Sequence, residues 1–150
     1  MENTDGLTQY CTFHLGGLFL GISVDSVQEV IRYQEMTRVP LAAETVRGLI
    51  NLRGQIVTAI DLRTRFGLPP RDELPMNVVV RTDDDAISFL VDEIGDVLEV
   101  ADDRVEPPPA TLTGVTRELV RKVCKLDGRL LLILDTALAA HASGEVHAAA

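Results

Sequence analysis

The sequence predicts a mainly β protein built as two small barrels of about five strands each. Three observations carry that expectation. The first is an internal repeat, which specifies architecture before chemistry. Phe19-Leu20-Gly21-Ile22-Ser23-Val24-Asp25 returns as Ala86-Ile87-Ser88-Phe89-Leu90-Val91-Asp92, 67 residues later. Gly48 is answered by Gly114 at an offset of 66, and Leu52-Arg53-Gly54 through Asp61 by Leu126-Asp127-Gly128 through Asp135 at an offset of 74. The second copy is therefore eight residues longer after its Gly114. The second observation is a series of short apolar segments paired around turn residues. The third is an aliphatic interior: 46% of residues are hydrophobic, only 4% are aromatic and Trp is absent, so Val, Ile and Leu must fill the core.

Each element follows in order. Residues 1–8 read as a loose lead. Tyr10–Leu15 and Leu18–Val24 flank Gly16-Gly17, a two-residue hairpin signal. After an intervening strand, Leu49–Leu52 and Gln55–Ile60 pivot on Arg53-Gly54. Asp61 is placed to N-cap Leu62–Phe66, with Gly67 as the stop and Pro69-Pro70 blocking extension. In the second copy Asn77–Thr82 and Ala86–Val91 flank Asp83-Asp84-Asp85. Lys122–Leu126 and Arg129–Leu134 pivot on Asp127-Gly128, a pair suited to a turn whose two central residues both need positive φ. Asp135 is expected to cap a helix over Thr136–Ala142 that Gly144 ends, and residues 143–150 to fray.

The chain is read as a single domain over residues 9–142, with a first repeat at about 10–68 and a second at about 75–140. A unit of about 65 residues is marginal alone, so the lobes are expected to pack intimately. Arg129–Leu134 and Val78-Val79-Val80 are apolar on both faces, whereas a half-solvated strand alternates. Either the other lobe or a partner protein must cover them.

Charge and composition exclude several function classes. A net charge of −9 and a pI near 4.7 argue against nucleic acid and against anionic membrane surfaces. Two cysteines, Cys11 and Cys124, make no disulfide framework and read as buried thiols. The N-terminus lacks the basic and apolar regions of a signal peptide, and no apolar run reaches the ~20 residues that span a bilayer. The expectation is a cytoplasmic protein without direct membrane insertion. His14 stands alone in a strand, His141 and His147 fall near the end, and no cysteine has a neighbouring base in sequence. Gly16-Gly17 lacks the spacing of a phosphate loop, and Asp83-Asp84-Asp85 lacks the Gly and Glu of a calcium loop. No catalytic residue, metal or cofactor is expected. Pro107-Pro108-Pro109 reads as an internal connection rather than a polyproline ligand.

At Asn51-Leu52-Arg53-Gly54, leading into Ile60-Asp61-Leu62-Arg63, the sequence resembles the CheW family of chemotaxis coupling proteins. Val24-Asp25-Ser26-Val27-Gln28-Glu29-Val30-Ile31, Thr37-Arg38-Val39-Pro40, Val46-Arg47-Gly48, Val91-Asp92-Glu93-Ile94 and Val105-Glu106-Pro107-Pro108 extend the likeness from about Tyr10 to Leu138. The resemblance implies two SH3-like five-stranded barrels with short helices after the closing strands. It also implies a non-catalytic adaptor linking the cytoplasmic tip of methyl-accepting chemoreceptors to the regulatory domain of a histidine autokinase, in arrays at the inner membrane. The kinase's own regulatory domain resembles this chain too, but no phosphotransfer, ATP-binding or receiver domain fits beside it in 150 residues. Thr58 departs from the family, which usually has Pro in that strand, and is expected to alter local pairing. Two other readings stay open: an adaptor of another chemosensory pathway, and a small-molecule-binding barrel.

The resemblance also proposes sites. Val24, Val27, Glu29, Leu52 and Arg53 would line a receptor-binding groove, with an apolar trough for a helical hairpin and polar orienters beside it. From the residues alone, Val24, Val27 and Leu52 fit a plain core equally well, and Arg53 fits a solvated turn. Glu29 is expected to pair with Arg53. For the kinase, the resemblance points to Met76, Val78 and Ile87, whose pattern also fits packing between lobes.

Overall fold

A computed structural model describes residues 6–83 and 85–140 of the 150-residue chain. The strands are β1 (Leu7–Leu15), β2 (Leu18–Ser23), β3 (Val27–Ile31), β4 (Val46–Leu52), β5 (Gln55–Asp61), β6 (Met76–Arg81), β7 (Ala86–Val91), β8 (Glu93–Ala101), β9 (Val105–Glu106), β10 (Val120–Leu126) and β11 (Arg129–Leu134). Two short helices, α1 (Leu62–Arg65) and α2 (Gly114–Leu119), interrupt them. The protein is mainly β, with two sheets, and the expected fold class holds.

The two sheets are not the two repeats. One runs β8-β1-β2-β11-β10-β9 and the other β3-β6-β7-β5-β4. Each copy keeps its last strands together but lends its opening hairpin to the other copy's sheet. The expectation that each repeat closes its own barrel is therefore corrected. The cause lies in the joins: β2 pairs parallel to β11 through Leu20↔Leu132, and β5 parallel to β7 through Ile60↔Phe89. Each closing strand thus takes the other copy's hairpin as its neighbour.

Both sheets curl shut. β3 and β4 are the ends of their sheet order, yet Thr37 and Leu49 exchange both backbone hydrogen bonds, at 2.9 and 2.8 Å. In the other sheet, β8 passes through a 3-10 turn at Asp102–Arg104 into β9, which pairs with β10 at Val105↔Cys124. Closure removes the exposed edges that invite aggregation. We call the barrel holding β1, β2 and β8–β11 barrel A, and the barrel holding β3–β7 barrel B.

Three apolar clusters result. Ile50, Leu52, Val57, Ala59, Val79, Ala86 and Leu90 fill barrel B. Tyr10, Phe19, Val100, Cys124, Leu131 and Ile133 fill barrel A. The largest cluster lies between the barrels and draws on both, with Phe13, Leu20 and Leu132 from one side meeting Ile60, Val80 and Phe89 from the other. This settles the double-sided strands. Leu132 and Leu134 face the shared core while Leu131 and Ile133 face barrel A, and Val78 and Val80 face the shared core while Val79 faces barrel B.

Smaller corrections have local causes. Leu7 and Thr8 are not loose, because β8 extends far enough to pair them with Ala101 and Val100. The eight extra residues of the second copy fall at α2, which apolar patterning did not announce. Asp127 is not left-handed although Gly128 is, so the turn with two positive φ values occurs at Arg53-Gly54 instead. Residues 136–140 are helical as expected; the rest of that expectation, with His141, Gly144, His147 and the frayed tail, lies outside the described residues. Thr58 pairs with Leu49 on one side and Ile87 on the other, inside the sheet rather than at its edge.

Candidate functional site

The β4–β5 hairpin brings Arg53 to the outside of barrel B. Arg53 has φ 50° and Gly54 φ 90°, both left-handed, and the Gly54 amide donates to Asn51 Oδ1 at 2.9 Å, which holds the turn. A left-handed non-glycine residue costs roughly 1–2 kcal/mol. An arginine at such a position points to a use for its side chain.

That guanidinium forms an ion pair with Glu29 of β3, as expected. β3 and the β4–β5 turn belong to opposite ends of the sheet order, so the pair exists because the barrel closes. Gln28 Nε2 donates to Gln55 Oε1 at 3.2 Å across the same seam. Arg53 is 70% exposed, so the pair adds little stability and chiefly orients the guanidinium.

The other groove candidates divide. Val24 lies in a 3-10 turn (Val24–Ser26) where the chain crosses from barrel A to barrel B, and is partly exposed. Val27 is also partly exposed and leans on the shared core. Arg81 Nη1 fixes the crossing by donating to the carbonyls of Val27 at 3.2 Å and Asp25 at 3.4 Å. Leu52 is only 5% exposed and fills barrel B, so it is core and not groove wall.

Two apolar residues that sequence reasoning missed are exposed on the strands that carry the pair: Val30 of β3, 37% exposed, and Ile56 of β5, 52% exposed. For Ile56 the signal was present, since alternation along β5 turns Val57 and Ala59 inward and Ile56 outward. For Val30 it was hidden, because a register shift between Val27 and Glu29 resets the alternation of β3.

The kinase candidates are corrected in part. Val78 is 1% exposed and Ile87 8%, both within the shared core, so neither is available as contact surface. Met76, at the start of β6, keeps partial exposure while packing on the same core.

A second constellation gathers at the end of barrel B. Asp61 caps α1 by accepting from the amides of Arg63 at 3.0 Å and Thr64 at 3.3 Å, and it ion-pairs with Arg47. Asp92, 9% exposed, accepts from the Gly16 amide at 2.7 Å and from Arg63 Nη1 at 2.6 Å, with Arg71 beside it. One carboxylate thus joins the β1–β2 turn, α1 and the segment between the copies. These charges answer one another, so the constellation is a structural tie.

Burial pushes the Cys11 thiol up, away from the reactive thiolate. Among the described residues no group of His, Cys, Asp or Glu could hold a metal, and no helix is long and apolar enough to cross a membrane. What this part of the surface presents is an oriented arginine, a partnered acid and exposed aliphatic side chains.

Comparison with known proteins gives the family. The chain is 31% identical over 141 residues to a chemotaxis protein CheW of Treponema pallidum, covering 90% of this chain and 83% of that one. It is 33% identical over 126 residues to the chemotaxis protein CheW of Bacillus subtilis, covering 82% and 80% respectively. The crystal structure of the scaffolding protein TtCheW from Thermoanaerobacter tengcongensis superposes with a TM-score of 0.78 at 28% identity, over 85% of this chain and 88% of that one. The family model described as the CheW-like domain matches residues 9–143, and the chain belongs to that family.

Proposed function

We propose that this chain is a non-catalytic chemotaxis adaptor that couples chemoreceptors to a histidine autokinase. The observation that carries the reading is the Glu29–Arg53 pair across the seam of barrel B, on strands that also expose Val30 and Ile56. A cationic anchor oriented by an acid, on strands with exposed aliphatic side chains, suits a helical partner with an apolar stripe. Val24 and Val27, at the crossing between barrels, extend the surface. The receptor's cytoplasmic tip is its proposed occupant. The regulatory domain of the kinase takes a separate face, with Met76 at its border and Val78 and Ile87 supporting it from the core.

Such an adaptor works by linkage: holding two partners in fixed geometry lets a change in one bias the other. Membrane association then follows from the receptor rather than from insertion. The test is co-sedimentation with receptor-containing membranes. The chain alone should pellet with them and, when added, should carry the kinase regulatory domain down with it. Sedimentation indifferent to the receptor would reject the reading.

A further inference from the structure

The two copies use one structural device in opposite ways. β4 carries a register shift between Val46 and Gly48, which makes Arg47 the extra residue. β10 carries the matching shift between Val120 and Lys122, which makes Arg121 the extra residue. Arg47 and Arg121 are equivalent at the offset of 74 that also relates Asp61 to Asp135. In the first copy the bulged arginine is neutralised by Asp61. In the second, Asp135 instead accepts the Leu138 amide at 3.1 Å, and the matching bulges put Lys122, rather than the Gly114 expected from sequence, in the place of Gly48. A bulge sends two successive side chains to one side of a strand. Accordingly Arg121 and Lys122 are both exposed between buried Val120 and Val123. Among the described residues neither joins an ion pair.

These cations meet at a cleft of about 290 Å³ whose walls include Ser23, Ser26 and Thr136 but no Asp or Glu. Its floor includes Tyr10 and Ile133 from the interior of barrel A, so the cleft is that barrel's mouth. We infer that this mouth is a binding site for the carboxylates of an acidic, amphipathic segment of a partner protein. Two unpaired cations and three hydroxyls on the rim supply donors for carboxylate oxygens. The apolar floor suits aliphatic side chains on the same segment and suits a free inorganic anion poorly. Charge complementarity chooses the occupant: in a chain of net charge −9 the cleft walls carry Arg121 and Lys122 and no acid, although the charge of Asp102 reaches Tyr10 on the floor. The site is continuous with the proposed receptor surface, since Ser23 and Ser26 bracket Val24 and Ser26 precedes Val27. The partner's identity as receptor rests on the adaptor reading, whereas the chemistry of the cleft does not.

The test is titration of the full chain with a short synthetic peptide of alternating Glu and Leu, followed by amide chemical shifts. Shifts should centre on Ser23, Ser26, Arg121, Lys122 and Thr136 and weaken with added salt. Arg121→Gln with Lys122→Gln should lower affinity about tenfold. Lys125→Gln with Arg129→Gln, an equal change in net charge on the same hairpin, should change it less than about twofold. Equal weakening by both pairs, or shifts centred elsewhere, overturns the site. Inorganic phosphate that reproduces every shift, with the peptide adding none, overturns the acidic-segment occupant. A receptor-tip fragment run in parallel separates the two readings. Peptide binding at the cleft without receptor binding removes the adaptor reading and supports the cleft; receptor binding indifferent to Arg121 and Lys122 supports the adaptor reading and removes the receptor as the cleft's occupant.

Discussion

Arg53 and Leu41 are the two non-glycine residues with positive φ among the described residues, at 50° and 65°. Asn tolerates the left-handed region better than most residues. Arg53→Asn should therefore leave unfolding stability within about 1 kcal/mol, strain relief offsetting a weak exposed pair. Receptor affinity should nonetheless fall at least about tenfold, as for an interface anchor. Denaturant unfolding set beside receptor titration checks both halves, and a double-mutant cycle with Glu29→Gln checks the pair: strict additivity contradicts it. Leu41 is 99% exposed and touches no core. Leu41→Gly should accordingly leave stability unchanged or raise it by up to about 1 kcal/mol, lost unfolded-state restriction offsetting part of the relieved strain. A loss larger than that in denaturant unfolding contradicts the backbone argument. Tyr10 gives a pH dependence. Burial, then the nearby charge of Asp102, raises its pKa above the ordinary 10.0. Its contribution is fully present below pH 10.0 and is lost as pH rises through the raised folded value. Tyr10→Phe should flatten the alkaline decline of stability measured above pH 10.0. An unchanged slope in that range contradicts this origin.

Among elements, barrel closure hinges on close backbone approach. A Cβ at Gly48 would meet the Thr37 carbonyl oxygen at 2.7 Å and Met36 Cβ at 3.0 Å, at the two hydrogen bonds that shut barrel B. Gly48→Ala should cost about 2 kcal/mol, since rigid backbone must shift. It should also raise hydrogen exchange at Thr37 and Leu49 ahead of global unfolding. An unchanged exchange pattern would show that the bridge is not what closes the barrel. How much was legible differed by element. Hairpins announced themselves because Gly16-Gly17, Arg53-Gly54 and Asp127-Gly128 each separate apolar segments. The Asp61 cap did so because its carboxylate acts within its own turn. Features that depend on the partner strand did not. The outward turn of Val30 comes from a bulge, β1 gains Leu7 and Thr8 because β8 is long, and α2 occupies an insertion with little apolar patterning. The pair Glu29–Arg53 was foreseen from its resemblance and its charges, while the burial of Val78 and Ile87 was foreseen only as one of two alternatives.

At the scale of the whole molecule, the exchange of hairpins gives the repeat its physical meaning. Each closing strand lies beside the other copy's hairpin, and the barrels share one core. That continuity suits an adaptor, because strain applied at one face has a packed route to the other. The repeat announced two barrels but not the exchange. Strands of either copy present the same apolar faces, and a period of two does not say which hairpin lies alongside. Asymmetry then assigns roles: Arg53 stands where Asp127 stands, and Arg121 lacks the partner that Arg47 has in Asp61. The central claim is coupling, and autophosphorylation of the kinase measures it most directly. With receptor-containing membranes and kinase present, adding this chain should make kinase activity respond to receptor ligand, and Arg53→Asn should diminish that response. Receptor-dependent activity that is the same with and without the chain would contradict the account.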